Sequence, residues 1–266
     1  VFGSNHEVAD FVATVAAMQK PVVVSPICLS NKPWIAWKAA QCIDRVVPFP
    51  TLYGYRKQVY DCSARLFPSS RVMARQLHHY FGTSYGKMSV IHLGADERVA
   101  QSGQKPFVDT FGMNNFVLEV ARVNSRKGQA RLIRALRGTG IPIVFIGPLD
   151  PSDPQGTSEF LKLTKENSNQ CCYLGPLYDQ KLLYSAYHAA HVHALPSIGE
   201  FPGLTNLEAA LGGANLVVGT APEVKEYFGD AVTYCEPTSI ADIRSAVLKA
   251  WKSPKQDGVR ELVLRE

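Results

Sequence analysis

Two cations, Arg122 and Lys127, bracket the point where an apolar run, Phe116-Val-Leu-Glu-Val-Ala121, gives way to a helix-like segment from Gly128 to Leu136. Cations between the end of a parallel strand and the start of a helix make an anion site, because ligands of open α/β sheets sit at the strand carboxyl ends and a helix start adds unpaired N–H groups and a positive dipole end. About 70 residues later His191-Val-His-Ala-Leu-Pro196-Ser197 reads as a second strand and turn, followed by Glu200, Phe201-Pro202-Gly203-Leu204 and a helix carrying Glu208. Gly203 lets the backbone approach a phosphate, and a carboxylate one or two turns into the helix can accept paired hydrogen bonds from vicinal hydroxyls such as those of a ribose. Glu200, in the preceding loop, is placed for sugar hydroxyls. Taken singly, these residues read as a solvated basic loop, a helix-surface Glu and a turn. Together, cations for a diphosphate and carboxylates for hydroxyls are what a nucleotide sugar requires.

The elements that must hold these residues alternate along the chain. Apolar, β-branched runs at Val22–Val24, Met88–Ile91, Phe116–Val120, Ile143–Ile146, Val192–Leu195 and Leu216–Val218 are strand candidates. Continuous rather than alternating apolar runs imply strands covered on both faces, as in parallel sheets. Between them lie helix-like segments: Glu7–Met18, Arg71–Phe81, Gly128–Leu136, Ser158–Glu166, Leu182–His188, Leu204–Leu211 and Ile240–Trp251. The alternation predicts a doubly wound α/β fold. The polar stretch from Ala95 to Pro106, with Gly and Pro and no periodicity, predicts a boundary, giving a first domain over 1–96 and a second over 97–266.

The composition, 46% apolar and 19% charged over 266 residues, is that of a folded globular chain, and no apolar run is long enough to cross a bilayer. A net charge of +5 suits phosphates or an anionic surface but is too small to point to nucleic acid. The six cysteines, 28, 42, 62, 171, 172 and 235, form neither a zinc pattern nor a disulfide framework, which predicts a reducing compartment. His188, His191 and His193 resemble metal spacing, but no carboxylate or cysteine completes a set. The segment Asp150-Pro-Ser-Asp153 reads as a loop rather than an acidic metal motif.

The order Arg122, Lys127-Gly128, Pro196-Ser197, Glu200, Glu208-Ala209, Gly212-Gly213 and Leu216-Val-Val resembles the retaining "group 1" glycosyltransferases, built as two Rossmann-like domains in the GT-B arrangement. The resemblance runs from about residue 88 to the end, and Ser69-Ser70 with Ile91-His-Leu-Gly94-Ala-Asp96 resembles that family's crossover between domains. It implies that Arg122 and Lys127 hold the donor diphosphate in place of a metal, so that no metal or other cofactor is expected. It further implies that Glu200 contacts the donor sugar with Phe201 beside it, that the N–H groups of Gly203 and Leu204 meet the phosphate, and that Glu208 binds the ribose. The segment from Tyr173 through Leu174 to Leu177 would lie along the base, with Gly147-Pro148 near the nucleotide. The implied reaction is hexosyl transfer from a nucleoside-diphosphate sugar, UDP- or GDP-linked, to a sugar, lipid-linked or other hydroxyl acceptor, in the cytoplasm, in polysaccharide, glycolipid or glycan synthesis.

Two departures qualify the resemblance. Nothing matches the family's opening strand and Gly-rich loop, so the acceptor-side domain over 1–96 is expected to be incomplete, with Val1 falling near its middle and the chain ending at Glu266 before a final helix. Where many relatives have a His after the strand that aligns with Pro21–Ser25, this chain has Ile27; His6 reads as a surface residue. A non-catalytic nucleotide-sugar-binding protein and a GT-B nucleotide-sugar epimerase are therefore the alternatives. Finally, Lys32-Pro-Trp34-Ile-Ala-Trp37-Lys38, with Arg45 beyond, is either a core-packed helix, an acceptor-lining loop or a peripheral membrane contact.

Overall fold

The computed structural model describes residues 6–27, 34–47, 49, 51–255 and 258–265; Cys28, Lys32, Pro33 and the terminal Val1 and Glu266 lie outside the described residues. The chain divides into two compact units, Val1–Leu93 and Gly94–Glu266.

The first unit contains α1 (His6–Ala17), β1 (Val23–Val24), α2 (Trp34–Val46), α3 (Leu52–Cys62), β2 (Arg65–Leu66) and α4 (Arg71–Phe81). β1 and β2 pair in parallel, Val23 with Arg65 and Val24 with Leu66. Thr51 and Ser70 start α3 and α4 by accepting from the amides of Gly54 and Met73. The core is aromatic. Trp37 stacks on Tyr80 at 5.0 Å and meets Phe81 edge-on, while Tyr53 stacks on Phe81 and also neighbours Trp37. In the Trp-rich segment, Trp34–Val46 form the helix α2, on which Trp37 packs inward. Its other face is apolar and open: Ile35, Ile43 and Val46 are exposed, as are Phe49 and Leu52 just beyond.

Met88–Ile91, expected as a strand, is not one. Met88 makes a single bridge with Leu66, Ser89 and Ile91 donate to Leu66 and Pro68, and Val90 and Ile91 remain exposed. The run has a neighbour along one side but no cover over its side chains.

The second unit holds, in order, α5 (Arg98–Gln101), α6 (Lys105–Phe111), β3 (Val117–Val120), α7 (Gln129–Leu136), β4 (Ile143–Ile146), α8 (Pro154–Glu166), β5 (Cys171–Tyr173), α9 (Gln180–Ala189), β6 (Val192–Leu195), α10 (Leu204–Leu211), β7 (Asn215–Gly219), α11 (Pro222–Phe228), β8 (Thr233–Cys235), α12 (Ile240–Lys252) and α13 (Gly258–Arg265). Its strands form one parallel sheet in the order β5-β4-β3-β6-β7-β8. One face packs Val117, Phe145, Val192 and Val217 against Leu132 and Leu136 of α7, Phe160 of α8 and Val247 of α12. On the other, the ring of Tyr187 on α9 lies 6.0 Å from that of His193. The order reverses between β3 and β6, which opens a crevice at their carboxyl ends.

The stretch from Ala95 to Pro106 is not the aperiodic link expected from its polarity. It contains α5 and the start of α6, which bury Val99 and Phe107 completely. A four-residue and a seven-residue helix are too short to show a period in sequence.

Candidate functional site

The loops that leave β5, β4, β3 and β6 are joined side by side into one row. Gly147 donates to the carbonyl of Gly175 at 2.9 Å, and the Tyr173 hydroxyl returns to the Gly147 carbonyl at 2.8 Å, which ties the β5 loop to the β4 loop. Val123 donates to Pro148 at 2.8 Å and Asp150 donates back to Val123 at 3.1 Å, tying β4 to β3. Ile198 donates to Arg126 at 2.9 Å, tying β3 to β6. The tightest approach is at Gly147, whose φ is +141° and where an added Cβ would lie 2.0 Å from the Ala121 carbonyl oxygen. A side chain there would push the β4 loop away from the end of β3, which presents Arg122.

The row places the expected residues as follows. Arg122, 60% exposed at its side chain, reaches Asp150 at 3.9 Å. Lys127 is ion-paired with Glu200, whose side chain is 11% exposed, and Arg126 approaches the same carboxylate at 3.6 Å while donating to the Gly199 carbonyl at 2.8 Å. One carboxylate thus gathers two cations from the neighbouring loop. Leu174 follows β5 at the far end of the row and donates its amide to Phe145. Gly203 and Leu204 begin α10, which no side chain caps, and Leu204 is exposed. An uncapped helix start keeps its outward N–H groups available to an anion. Phe201 is half-buried beside them.

Glu208 stands apart from this row. Its carboxylate accepts from the Tyr187 hydroxyl at 2.6 Å. Burial raises the carboxyl above its ordinary value and the Tyr187 hydrogen bond opposes that rise. Close by, Tyr184 donates to Asp96 at 3.0 Å.

The β3 loop is shaped by residues whose sequence signal is weak. Asn124 accepts from the Lys127 amide at 2.9 Å and donates to Asp150 at 2.8 Å. The Asn124 bond, with one from the Ser152 amide, holds the Asp150 carboxyl below the usual range. Asp153 caps α8 and accepts from the Ser125 amide at 2.7 Å. An Asn whose side chain can accept from an amide three residues on is a local capping signal, and could have been read as one; the roles of Arg126 and Asp150 depend on partners distant in sequence and could not.

Beneath the row lies a buried polar layer. Glu119 in β3 is 1% exposed and neither of its carboxyl oxygens makes a hydrogen bond. Burial pushes its pKa well up, against the pull of Lys127 and Arg131. Burial likewise pushes His193 down to about 3; Asn206 lies near enough to oppose this, although His193 Nδ1 and Asn206 Oδ1 make no hydrogen bond of normal geometry. The two histidines that share the metal-like spacing with His193 face backbone carbonyls, His188 that of Val99 and His191 that of Ser253. Among the described residues no group of three or more His, Cys, Asp or Glu side chains is arranged to hold a metal ion.

The family model for glycosyl transferases group 1 matches residues 103–260. Over 229 residues the chain is 25% identical to a D-inositol 3-phosphate glycosyltransferase of Mycobacteroides abscessus, an alignment covering 82% of this chain and 49% of that protein. The chain thus spans about half the length of that relative. Among solved structures it is similar to an α,α-trehalose-phosphate synthase (UDP-forming) from Burkholderia xenovorans in complex with glucose-6-phosphate, with a TM-score of 0.75 at 14% identity over 99% of this chain and 68% of the other. It is also similar to Anabaena HepE in complex with UDP and glucose, with a TM-score of 0.71 at 16% identity over 97% of this chain and 76% of the other.

Proposed function

The chain belongs to the group 1 glycosyltransferases, with the GT-B type of α/β fold, and from that premise we propose that its second unit binds a nucleoside-diphosphate sugar for transfer to a hydroxyl acceptor. The observation that carries the reading is the ion pair of Lys127 with Glu200 at the carboxyl ends of β3 and β6, flanked by the starts of α7 and α10. Charge for a diphosphate and a carboxylate for a sugar hydroxyl meet there in one contact. In this proposal Arg122 and Lys127 hold the diphosphate and neutralise the departing nucleotide, the part a metal would otherwise play. The amides at Gly203 and Leu204 add to the phosphate site, Glu208 takes the ribose, and Gly147 and Leu174 border the nucleotide. The bond from the anomeric carbon to phosphate oxygen breaks while the acceptor oxygen joins that carbon on the same face. The departing phosphate takes the acceptor proton, so configuration is retained.

The relatives support a UDP-linked donor and a phosphorylated-sugar or other hydroxyl acceptor: one carries UDP and glucose, another is UDP-forming and holds glucose-6-phosphate, and a third is named for inositol 3-phosphate. No helix among the described residues is long and apolar enough to cross a membrane. Peripheral contact with an anionic bilayer is nonetheless part of the proposal for the first unit, because the open apolar face of α2 is flanked by exposed Lys38 and Arg45. The deciding experiment is a thermal-shift and calorimetric screen of UDP, GDP and their hexose conjugates, since a ligand that binds the native state raises its melting temperature. Binding of a nucleoside diphosphate followed by its sugar's transfer supports the proposal. Binding without turnover assigns a non-catalytic role, and no binding of any of them overturns it.

A further inference from the structure

Arg131, in the first turn of α7, spends its guanidinium on the backbone. Its guanidinium donates to three backbone carbonyls: Nη1 to Ser125 at 2.8 Å, and Nη2 to Arg126 at 3.3 Å and to Pro196 at 3.4 Å. Ser125 and Arg126 lie in the loop that carries Lys127, and Pro196 ends β6 just before the loop that carries Glu200. The same side chain therefore spans the two loops across the switch point, from below.

Two further features fix it there. Gly128, at φ +96°, leaves the space the guanidinium uses; a Cβ at that position would lie 2.8 Å from Arg131 Nη2 and 2.7 Å from the Pro196 carbonyl oxygen. Behind it, the Arg131 Nε is buried without a hydrogen bond, near enough to Glu119 for each to shift the other's titration. Burial raises the Glu119 carboxyl well above its ordinary value, and the guanidinium makes its hydrogen bonds to the three carbonyls rather than to that carboxyl. A planar, permanently charged fork is the side chain that can bond several carbonyls in fixed directions at once; a lysine supplies one mobile point of charge.

We propose that Arg131 is a positioning residue that braces the Lys127 loop against the Glu200 loop and thereby sets how strongly the site holds the second phosphate of a nucleoside diphosphate. The inference rests on the donor-site reading above, and it assigns Arg131 no contact with the donor. A merely structural arginine would lower stability when replaced but would leave the ratio of diphosphate to monophosphate affinity alone. A brace would lower that ratio, because only the distal phosphate depends on the spacing of the two loops.

The test is calorimetric titration of the full chain and of Lys127→Ala, Arg131→Met and Arg131→Lys with UDP and UMP, or with GDP and GMP if only guanine nucleotides bind. The wild type is expected to prefer diphosphate by about tenfold or more, the size of one or two charge-assisted hydrogen bonds. Arg131→Met should bring the two affinities within about threefold while the monophosphate still binds, and Arg131→Lys, the conservative variant, should recover part of the preference. If Arg131→Met does not fold, the partial loss in Arg131→Lys carries the test. Wild-type preference in the Arg131 variants together with its loss in Lys127→Ala overturns the brace and leaves the donor site standing. Wild-type preference in Lys127→Ala, or no nucleotide bound at all, overturns both.

Discussion

The hydroxyl of Tyr187, on α9, donates to Oε2 of Glu208, on α10, at 2.6 Å. Tyr187 is fully buried, and burial first, then the Glu208 charge, pushes its pKa well above the ordinary value, so it serves Glu208 only as a donor. One carboxylate oxygen is held by Tyr187, and the proposed function assigns a ligand to the other. If that ligand is a ribose diol, Glu208→Ala should erase the preference for UDP over 2′-deoxy-UDP, which a charged hydrogen bond sets at about tenfold or more. Tyr187→Phe should reduce the preference partway. Equal discrimination in wild type and Glu208→Ala, measured by competition binding, would remove Glu208 from the nucleotide site.

Lys127→Ala and Glu200→Ala are each expected to lower turnover at least about a hundredfold, roughly 2.7 kcal/mol of transition-state stabilisation. Because the two side chains are ion-paired, the double variant should cost less than the product of the single effects. Steady-state rates of all three variants check this, and near-normal rates in both single variants would discard the assignment.

The buried polar layer under the site predicts opposed pH dependences. His193, held down at about 3 against an ordinary 6.5, stays neutral while the unfolded chain gains a proton, so stability falls as pH drops below 6.5. Glu119, raised above an ordinary 4.5, keeps a proton that the unfolded chain gives up, so stability falls as pH rises above 4.5. Each slope approaches about 1.4 kcal/mol per pH unit. The stability gap between wild type and His193→Gln should therefore narrow toward low pH, and the gap for Glu119→Gln should narrow toward high pH. Denaturant titrations across this range read both gaps, and gaps independent of pH would mean that neither group keeps its buried protonation state.

What could be read from sequence follows from cover. Val117–Val120 and Ile143–Ile146 are buried at every position, and their runs are continuous in consequence. Cys171–Tyr173 and Thr233–Cys235 form the two edges of the sheet, are only partly buried, and show no such run. Arg65–Leu66 is two residues long and gave no signal at all. In the site, Lys127 and Glu200 stood out because each flanks a helix start at the end of an apolar run. Arg131 did not, because an arginine bonded to carbonyls looks in sequence like any helix-surface cation.

Gly147→Ala tests the contact between the β4 and β3 loops. A methyl group cannot fit 2.0 Å from the Ala121 oxygen, and the positive φ adds strain. The variant should lose several kcal/mol of stability by analogy with other overpacked positions. A melting temperature unchanged from wild type would show that the loops part easily.

In the first unit, Ile43→Asp and Val46→Asp should abolish flotation with vesicles containing anionic lipid, without lowering the melting temperature, because both side chains are exposed. Binding by the wild type should weaken at high salt, as expected with Lys38 and Arg45 beside the apolar face. No flotation of the wild type at low salt would sink the membrane contact.

The strand order also bears on the order in which the sheet folds. β3 meets β4 locally, but Val117 and Val192, its partners across the switch point, are 75 positions apart. Closing that loop costs roughly 4 kcal/mol of chain entropy, and the β4 and β5 segments must fold back within it first. An intermediate with β3, β4 and β5 joined would already present Arg122 opposite Asp150, yet Glu200 would still be absent. The ligand crevice is therefore expected to assemble late, and a nucleotide that recognises it would act as a clock for closure of the sheet, which stopped-flow refolding with a bound-nucleotide signal checks.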